Sequence, residues 1–358
     1  MRICHPVLAL LAVSLPLSVQ AQDISGMAGA LKVSSTNERT FVAAVSYTQP
    51  VGNYNAVSLS YINEGHPEDH HRDGMAGQFW LRTKKVEQGL MLGAGVGRYF
   101  FFDTARTDDG LHNFDNDHGW GSIVSLQARW QFDNRWYAQA QLNRIKPAGK
   151  DNTTHLLIGA GYRYDGVPGA KLHLQNWAHD DTLTLSTGHT IVNSLRSESA
   201  RPFTLEYRRA AGKYVDWTVT ALDEGDADLA HRRGVAAQLW LIRSLNEKVE
   251  FGMGGGPYLA WDGRDTQGHS TRLTGLLSAT ARYHLDRRWV AQVAWNRVVT
   301  DYHRDADVLL VGGGTEVLRA KPVPAGLVSN PVNVNARPRQ LHSAASSVRS
   351  PRASNWPS

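Results

Sequence analysis

Thiols are all but missing from this 358-residue chain, whose one cysteine is Cys4. It lies in the opening segment MRICHPVLALLAVSLPLSVQAQD, ahead of the apolar stretch and so badly placed for a lipid anchor. That segment carries a basic Arg2, a short apolar stretch from Val7 to Leu17, and small residues Val19 and Ala21 before a cleavage point, the parts of a secretory signal. Cleavage after residue 21 leaves a mature chain without thiols, which excludes disulfides even in a compartment that permits them. A long apolar run is also lacking. Beyond residue 21 nothing approaches the roughly 18 residues of a membrane-crossing helix, so no such helix is expected. A transmembrane barrel is not excluded, because only alternate strand residues face lipid. The body lacks charge of one sign as well. The formal net charge is +5, but Arg319, Lys321, Arg337, Arg339, Arg349 and Arg352 all fall in a tail without an acidic residue. The remainder is close to neutral, so the basicity does not point to nucleic acid.

What the sequence does have is an ordered internal repeat, the feature to seek first. Tyr54-Asn-Ala-Val-Ser-Leu-Ser-Tyr-Ile-Asn-Glu-Gly65 matches Tyr214-Val-Asp-Trp-Thr-Val-Thr-Ala-Leu-Asp-Glu-Gly225, and Arg72–Leu81 matches Arg232–Leu241. Gly93, Gly95, Gly97 and Tyr99 match Gly252, Gly254, Gly256 and Tyr258. Asp133-Asn-Arg-Trp136 matches Asp286-Arg-Arg-Trp289, and Gln139, Asn143 and Arg144 match Gln292, Asn296 and Arg297. Leu157, Gly159 and Gly161 match Leu310, Gly312 and Gly314. The order never breaks, which reads as a duplication. The expected organisation is a signal peptide over 1–21, a first eight-strand repeat over 22–166, a linker over 167–181, a second eight-strand repeat over 182–318, and a disordered basic tail over 319–358. The tail is rich in Pro, Ser, Asn and Arg and has too little apolar surface to offset the entropy of ordering.

Each copy divides into stretches of about ten residues that alternate with period two. In 122–132, Val124, Leu126, Ala128, Trp130 and Phe132 share one face; Ser125, Gln127, Arg129 and Gln131 share the other. The predicted strands are 26–35, 39–48, 54–64, 74–84, 90–103, 120–132, 136–146 and 155–164, then 182–193, 202–210, 214–224, 234–243, 249–261, 272–285, 289–299 and 307–317. Short links such as 133–135 and 286–288 alternate with longer polar ones such as HPEDHHRD and ARTDDGLHNFDNDHG. Aromatic residues gather near strand ends, as interfacial girdles do. With short turns at one rim and long loops at the other, the body resembles the bacterial outer-membrane β-barrels. The fold class expected is therefore an all-β antiparallel transmembrane barrel with an internal duplication. Two closures stay open: a single 16-stranded ring, which is preferred because it leaves room for an aqueous channel, or two 8-stranded barrels filled by their own side chains.

If the Leu126 face meets lipid, the opposite parity lines the lumen. Glu64, Gln78, Arg129, Gln139 and Asn143 then face inward in the first copy, as do Glu224, Gln238, Arg282, Gln292 and Asn296 in the second. An inward Arg needs a carboxylate or several acceptors, and the nearest cations expected for Glu64 and Glu224 are Arg129 and Arg282. The glycine rows fall on the inward face beside Trp80 and Trp240, a ring-over-glycine arrangement that lets a sheet curve. GAGVG lacks the strand–turn–helix setting of a nucleotide loop. The loop from His66 to His71 reads as solvated rather than metal-binding, since the second copy keeps only His231 there. Asp115-Asn-Asp117-His-Gly119 lacks a full calcium ligand series. His269-Ser270 and His342-Ser343 sit in no hydrolase motif, so no catalytic residue is named.

The expected function is a passive channel or transport barrel for small solutes in the outer membrane of a Gram-negative bacterium. A structural or surface-interaction barrel with a plugged lumen is the alternative, and a lipid-modifying enzyme the third reading. No cofactor and no metal are expected; the partners are outer-membrane lipid and small solutes. The second copy departs from the usual barrel ending. Thr315 and Val317 stand where the first copy has Tyr162 and Tyr164, and the chain then continues into the tail.

Overall fold

The computed structural model describes residues 22–67, 70–83, 88–107, 114–164, 181–194, 198–212, 214–244, 248–264, 271–286 and 288–317. The export segment, the tail, and the linker apart from Asp181 lie outside the described residues. The first copy forms β1 (Gln22–Val33), β2 (Arg39–Val51), β3 (Asn55–Asn63), β4 (His70–Arg82), β5 (Gly89–Arg106), β6 (Phe114–Gln131), β7 (Trp136–Pro147) and β8 (Thr153–Tyr164). The second forms β9 (Asp181–Val192), a short β10 (Glu198–Ala200), β11 (Phe203–Ala210), β12 (Val215–Asp223), β13 (Arg232–Ser244), β14 (Val249–Asp262), β15 (Thr271–His284), β16 (Trp289–Val299) and β17 (Ala306–Val317).

Each copy closes on itself. β1 pairs antiparallel with β8 from Gln22↔Tyr164 to Val33↔Thr153. β9 pairs with β17 from Asp181↔Val317 to Val192↔Ala306. The preferred 16-stranded ring is therefore not the closure adopted; the structure takes the other one, two eight-stranded barrels. The physical reason is that both full-length ladders satisfy the edge groups of first and last strand within one copy, leaving no open edge to join the other. β10 is the one strand the alternation did not indicate; it extends β9 by three pairs, Glu198↔Val192 to Ala200↔Thr190. An even strand number returns the chain to its starting rim, so Tyr164, where β8 ends, and Asp181, where β9 begins, lie at short-turn rims.

The alternation resolves as inside and outside. Tyr137, Gln139, Gln141 and Asn143 of β7 are buried within the first barrel, whereas Ala138, Ala140 and Leu142 are exposed. On the outer walls Leu81 (62%), Leu126 (57%), Ile158 (67%), Leu185 (66%) and Val311 (60%) stay uncovered. An apolar wall of this extent is unsuited to water and suited to lipid. Trp130, Trp136 and Trp289 stand exposed at the turn rim, where rings with a polar edge suit the interface.

β5 and β6 contain 18 residues each, more than the roughly 9–11 a tilted strand needs to span a bilayer. Their hairpin projects past the loop rim, replacing much of the loop expected over 105–119. The Asp115–Gly119 stretch is consequently strand, paired with Phe101–Ala105, and offers no loop to wrap a calcium ion.

Toward the loop rim each lumen is packed with apolar side chains. In the first barrel these include Leu31, Val42, Ile62, Tyr99, Ile123 and Leu157; in the second, Leu222, Tyr258, Leu276, Val298 and Leu310. At mid-height Trp80 lies opposite Gly95, and Trp240 opposite Gly254. A Cβ at Gly95 would stand 2.7 Å from the Trp80 ring, and one at Gly254 2.4 Å from Trp240. Each indole is pinned by a hydrogen bond: Trp80 Nε1 donates to Ser58 Oγ at 2.8 Å and Trp240 Nε1 to Thr218 Oγ1 at 2.9 Å.

Candidate functional site

The inward polar residues form three groups in each barrel, at mid-height and near each rim. At mid-height Gln78 Nε2 donates to Ser125 Oγ and Gln238 Nε2 to Ser278 Oγ, both at 2.9 Å. Gln139 donates to Gln141 at 2.9 Å, and Gln141 to Asn143 at 2.8 Å. Gln292 and Asn296 are buried at the equivalent register of β16. Near the turn rim Arg129 donates to Asp23 at 2.6 and 3.2 Å and stacks 3.3 Å over the Tyr137 ring. Its counterpart Arg282 donates to Glu250 at 2.8 Å. The two arginines are equivalent but their carboxylates come from different strands, β1 in one barrel and β14 in the other. The copies conserve the charge balance rather than the position of the acid.

Glu64 and Glu224 are buried at the other end, so Arg129 and Arg282 are not their partners. Glu64 accepts a hydrogen bond from Arg72 Nη2 at 2.7 Å, with His155 Nε2 at 3.6 Å. Glu224 accepts from Arg232 Nε at 2.9 and 3.0 Å and from Nη2 at 2.6 Å. Arg232 also donates to the Arg304 carbonyl and to Tyr302 Oη. Tyr302 sits in the β16–β17 connection, where burial pushes its phenol up to about 12; it keeps its proton and donates to Asp262 at 3.2 Å. The turn that delivers each Glu is built the same way. Gly65 and Gly225 have φ of +72° and +83°, a conformation glycine adopts without penalty. Their N–H groups donate to the side chains of Asn63 at 2.8 Å and Asp223 at 2.9 Å. Sequence reasoning missed Arg72 and Arg232 as partners although both stood inside the repeat; the signal was an Arg eight residues after a duplicated Glu-Gly.

A further set of contacts lies outside both lumens. Asp73 of β4 and Phe102 of β5 point outward, yet each is only 1% exposed, and outward Arg297 of β16 is 2% exposed. They are covered because the barrels meet there. Arg297 Nη2 donates to Asp73 at 2.9 Å, its guanidinium lies 4.6 Å from the Phe102 ring, and it is also paired to Asp307 on its own barrel. Tyr61 donates to Asp73 at 2.6 Å and meets the Trp295 ring edge-on at 5.5 Å. Above them Asn116 donates to the Asn193 carbonyl at 2.8 Å and accepts from the Asp305 N–H at 3.1 Å. At the opposite rim Arg243 of the second barrel reaches Tyr47 of the first. The contact is heterologous: strands β2–β6 of one copy meet β16, β17, the end of β9 and, at the turn rim, β13 of the other.

These observations settle the fold. It is the antiparallel eight-stranded β-barrel with an apolar outer wall, present twice in one chain. No protein-family model matches the chain, and no curated relative matches it. Among solved structures, the N-terminal β-barrel domain of Pseudomonas aeruginosa OprF is similar at 15% identity, covering 40% of this chain and 100% of that one, with a TM-score of 0.33. Neisserial surface protein A is similar at 12% identity, covering 39% of this chain and 96% of that one, with a TM-score of 0.32. The monoaromatic hydrocarbon channel CymD is similar at 9% identity over 84% of this chain and 90% of that one, with a TM-score of 0.23.

Among the described residues no group of three or more potential ligands is placed to hold a metal ion. His66 and His71 stack at 4.5 Å, and His71 Nδ1 lies 2.8 Å from the Gly65 carbonyl. Desolvation and the neighbouring His71 hold His66 below the usual imidazole range. The two His-Ser pairs considered in the sequence lie outside the described residues.

Proposed function

We propose that this protein is an outer-membrane barrel pair whose plugged lumens hold its strands in register, and whose outer walls and loops carry its function. The membrane reading is supported by the secretory signal, the apolar outer walls and the alternation of loop lengths. The plugged reading is carried by one observation: both interiors are occupied in layers, from the Arg129–Asp23 and Arg282–Glu250 pairs through the Trp-over-Gly layer to Glu64–Arg72 and Glu224–Arg232. Opening a path for solute would separate buried ions in a low-dielectric interior, at a cost of about 3–5 kcal/mol for each pair broken.

Single-channel recording in a planar bilayer tests this, on refolded chain whose gel mobility changes on boiling. The expected record is a quiet membrane at protein loads where incorporation is shown independently by flotation. Reproducible unitary steps would establish the small-solute channel instead. Soluble helical material recovered from the periplasm would end the membrane reading altogether.

A further inference from the structure

The face by which the first barrel docks on the second has a counterpart on the second barrel, and register fixes it residue by residue. Tyr61 pairs with Val45 and Met75, and Ala221 pairs with Leu205 and Val235. Asp73 pairs with Phe102 as Arg233 pairs with Trp261. Tyr61, Asp73 and Phe102 of the covered face thus correspond to Ala221, Arg233 and Trp261. In the first copy the face is filled by a ring and carries an acid. In the second the Tyr61 ring is gone, and Arg233 stands beside Asp223 where the first copy has Asp73 beside Asn63.

Loss of the ring leaves a hollow. A groove of about 850 Å³ runs along this wall of the second barrel, lined by the apolar Leu185, Phe203, Leu205, Ala221 and Trp261, with Arg233 and its cross-strand neighbour Asp223 on the side of the loop rim. Phe203 is 60% exposed and Trp261 44%, where Phe102 was 1%. Among the described residues the Arg233 guanidinium meets only the His231 imidazole, at 3.1 Å. The neighbouring Asp223 carboxylate accepts from the Gly225 N–H.

We propose that this groove binds an acyl lipid of the outer leaflet with an anionic phosphomonoester headgroup, a chain lying in the Ala221 hollow and the headgroup on Arg233. An apolar trough open to the bilayer fits an acyl chain, and a guanidinium at the interfacial end fits a phosphate bidentately. A second copy of the chain is the rival occupant and is mismatched. The face it would offer, on β7–β8 of its first barrel, carries Arg144 where Arg297 stands and Thr154 where Asp307 stands. Arg144 would meet Arg233 rather than an acid, without the Asp307 carboxylate that joins Arg297 in the first contact, and the Asp223 carboxylate beside Arg233 already accepts from the Gly225 N–H; like charges across a contact oppose docking.

The proposal rests on the membrane reading, and the test separates the two. The full chain is reconstituted into vesicles of phosphatidylcholine containing spin-labelled phosphatidic acid or, in parallel, spin-labelled phosphatidylcholine. Flotation and heat-modifiable mobility confirm insertion for every variant; a chain that does not insert refutes the membrane reading. With insertion shown, the wild type should immobilise the phosphatidic acid label in preference to the neutral one. Arg233→Gln should lower that preference about tenfold. Ala221→Tyr, which rebuilds the first copy's ring, should abolish the immobilised population while leaving the protein inserted. Equal label selectivity in the wild type and Arg233→Gln, or a chain dimer cross-linked through this face in the wild type, would overturn the proposal.

Discussion

Inside the two barrels the same side chains recur at the same register, Trp80 over Gly95 and Trp240 over Gly254, Gln78 on Ser125 and Gln238 on Ser278. On the outer wall the copies part: Tyr61 and Asp73 in the first stand where the second has Ala221 and Arg233. The difference shows where each kind of constraint acts. A filled eight-stranded lumen has little freedom, since every inward residue must pack against others across the axis. The wall is free to diverge provided it suits what lies against it, another barrel in one case and, on the membrane reading, lipid in the other. A heterologous contact repeated on a duplicated unit would extend indefinitely. On the reading proposed above, Arg233 in place of Asp73 is what would end such a series at two barrels.

The interior half of this comparison breaks most severely at the loop-rim ion pairs. Glu64→Gln leaves Arg72 buried without its carboxylate, and Glu224→Gln does the same to Arg232. Each should cost about 3–5 kcal/mol, because an orphaned buried charge is far more expensive than a missing contact. The second should fall at the upper end of that range, since Arg232 makes three hydrogen bonds to Glu224 and Arg72 one to Glu64. Urea unfolding in detergent or vesicles reads both. Equal and small losses would show that the lumens are hydrated, and would favour a channel.

The docked wall is next. Asp73→Arg gives the covered face the charge of the open one and sets it against Arg297, itself 2% exposed. The interface should separate while each barrel stays closed. The expected signature is one cooperative unfolding transition becoming two, with protease access gained around Asn116 and Asn193. A lipid-facing control, Leu126→Arg, should cost about 2–4 kcal/mol if it lies near the midplane, and act on the first barrel alone. If Asp73→Arg left a single transition at an unchanged midpoint, the contact between barrels would carry no weight.

Much of this molecule is legible in its sequence. Period-two alternation places all the barrel strands, and the repeat aligns them. The facing of Leu126, Gln139 and Arg129 follows from parity alone, and the Trp80–Gly95 contact follows from inward glycines beside an inward ring. Closure is not legible, because an even strand count satisfies one ring or two equally well. Ion-pair partners were misjudged for a related reason: parity says which side a residue faces but not its height on the barrel axis, and Glu64 and Arg129 lie at opposite rims. The docked wall left a signal that parity could have exposed. Asp73 and Arg297 are charges on the outward parity, and a charge facing lipid is costly unless it is paired.

A milder probe tests whether the interior is as constrained as its duplication suggests. Gly95→Val should cost about 1–3 kcal/mol by overpacking, since even a Cβ there would stand 2.7 Å from the Trp80 ring. Gly254→Val should behave likewise against Trp240. Far-ultraviolet circular dichroism during thermal unfolding would compare them. A loss at one position and none at the other would mean that the two lumens, though alike in sequence, differ in packing freedom.

The smallest effect on stability should come from converting the open wall into the docked one. Ala221→Tyr with Arg233→Asp restores the ring and the acid of the first copy on a surface that water or lipid already reaches, so the unfolding midpoint should move by less than about 0.5 kcal/mol. The change should appear in association instead. Arg144 of a neighbouring chain would now find an acid opposite it, with Leu142 and Leu156 beside it exposed for contact. Because the contact is head-to-tail, the product is an open series rather than a closed dimer. Sedimentation in detergent should therefore show a ladder of sizes that shortens with added salt, as an interface-level ion pair requires. Adding Arg144→Gln should collapse the ladder to single chains, because it removes the cation on which each new contact depends. A double variant that stayed monomeric would show that the Asp-to-Arg reversal is not what limits the assembly to two barrels.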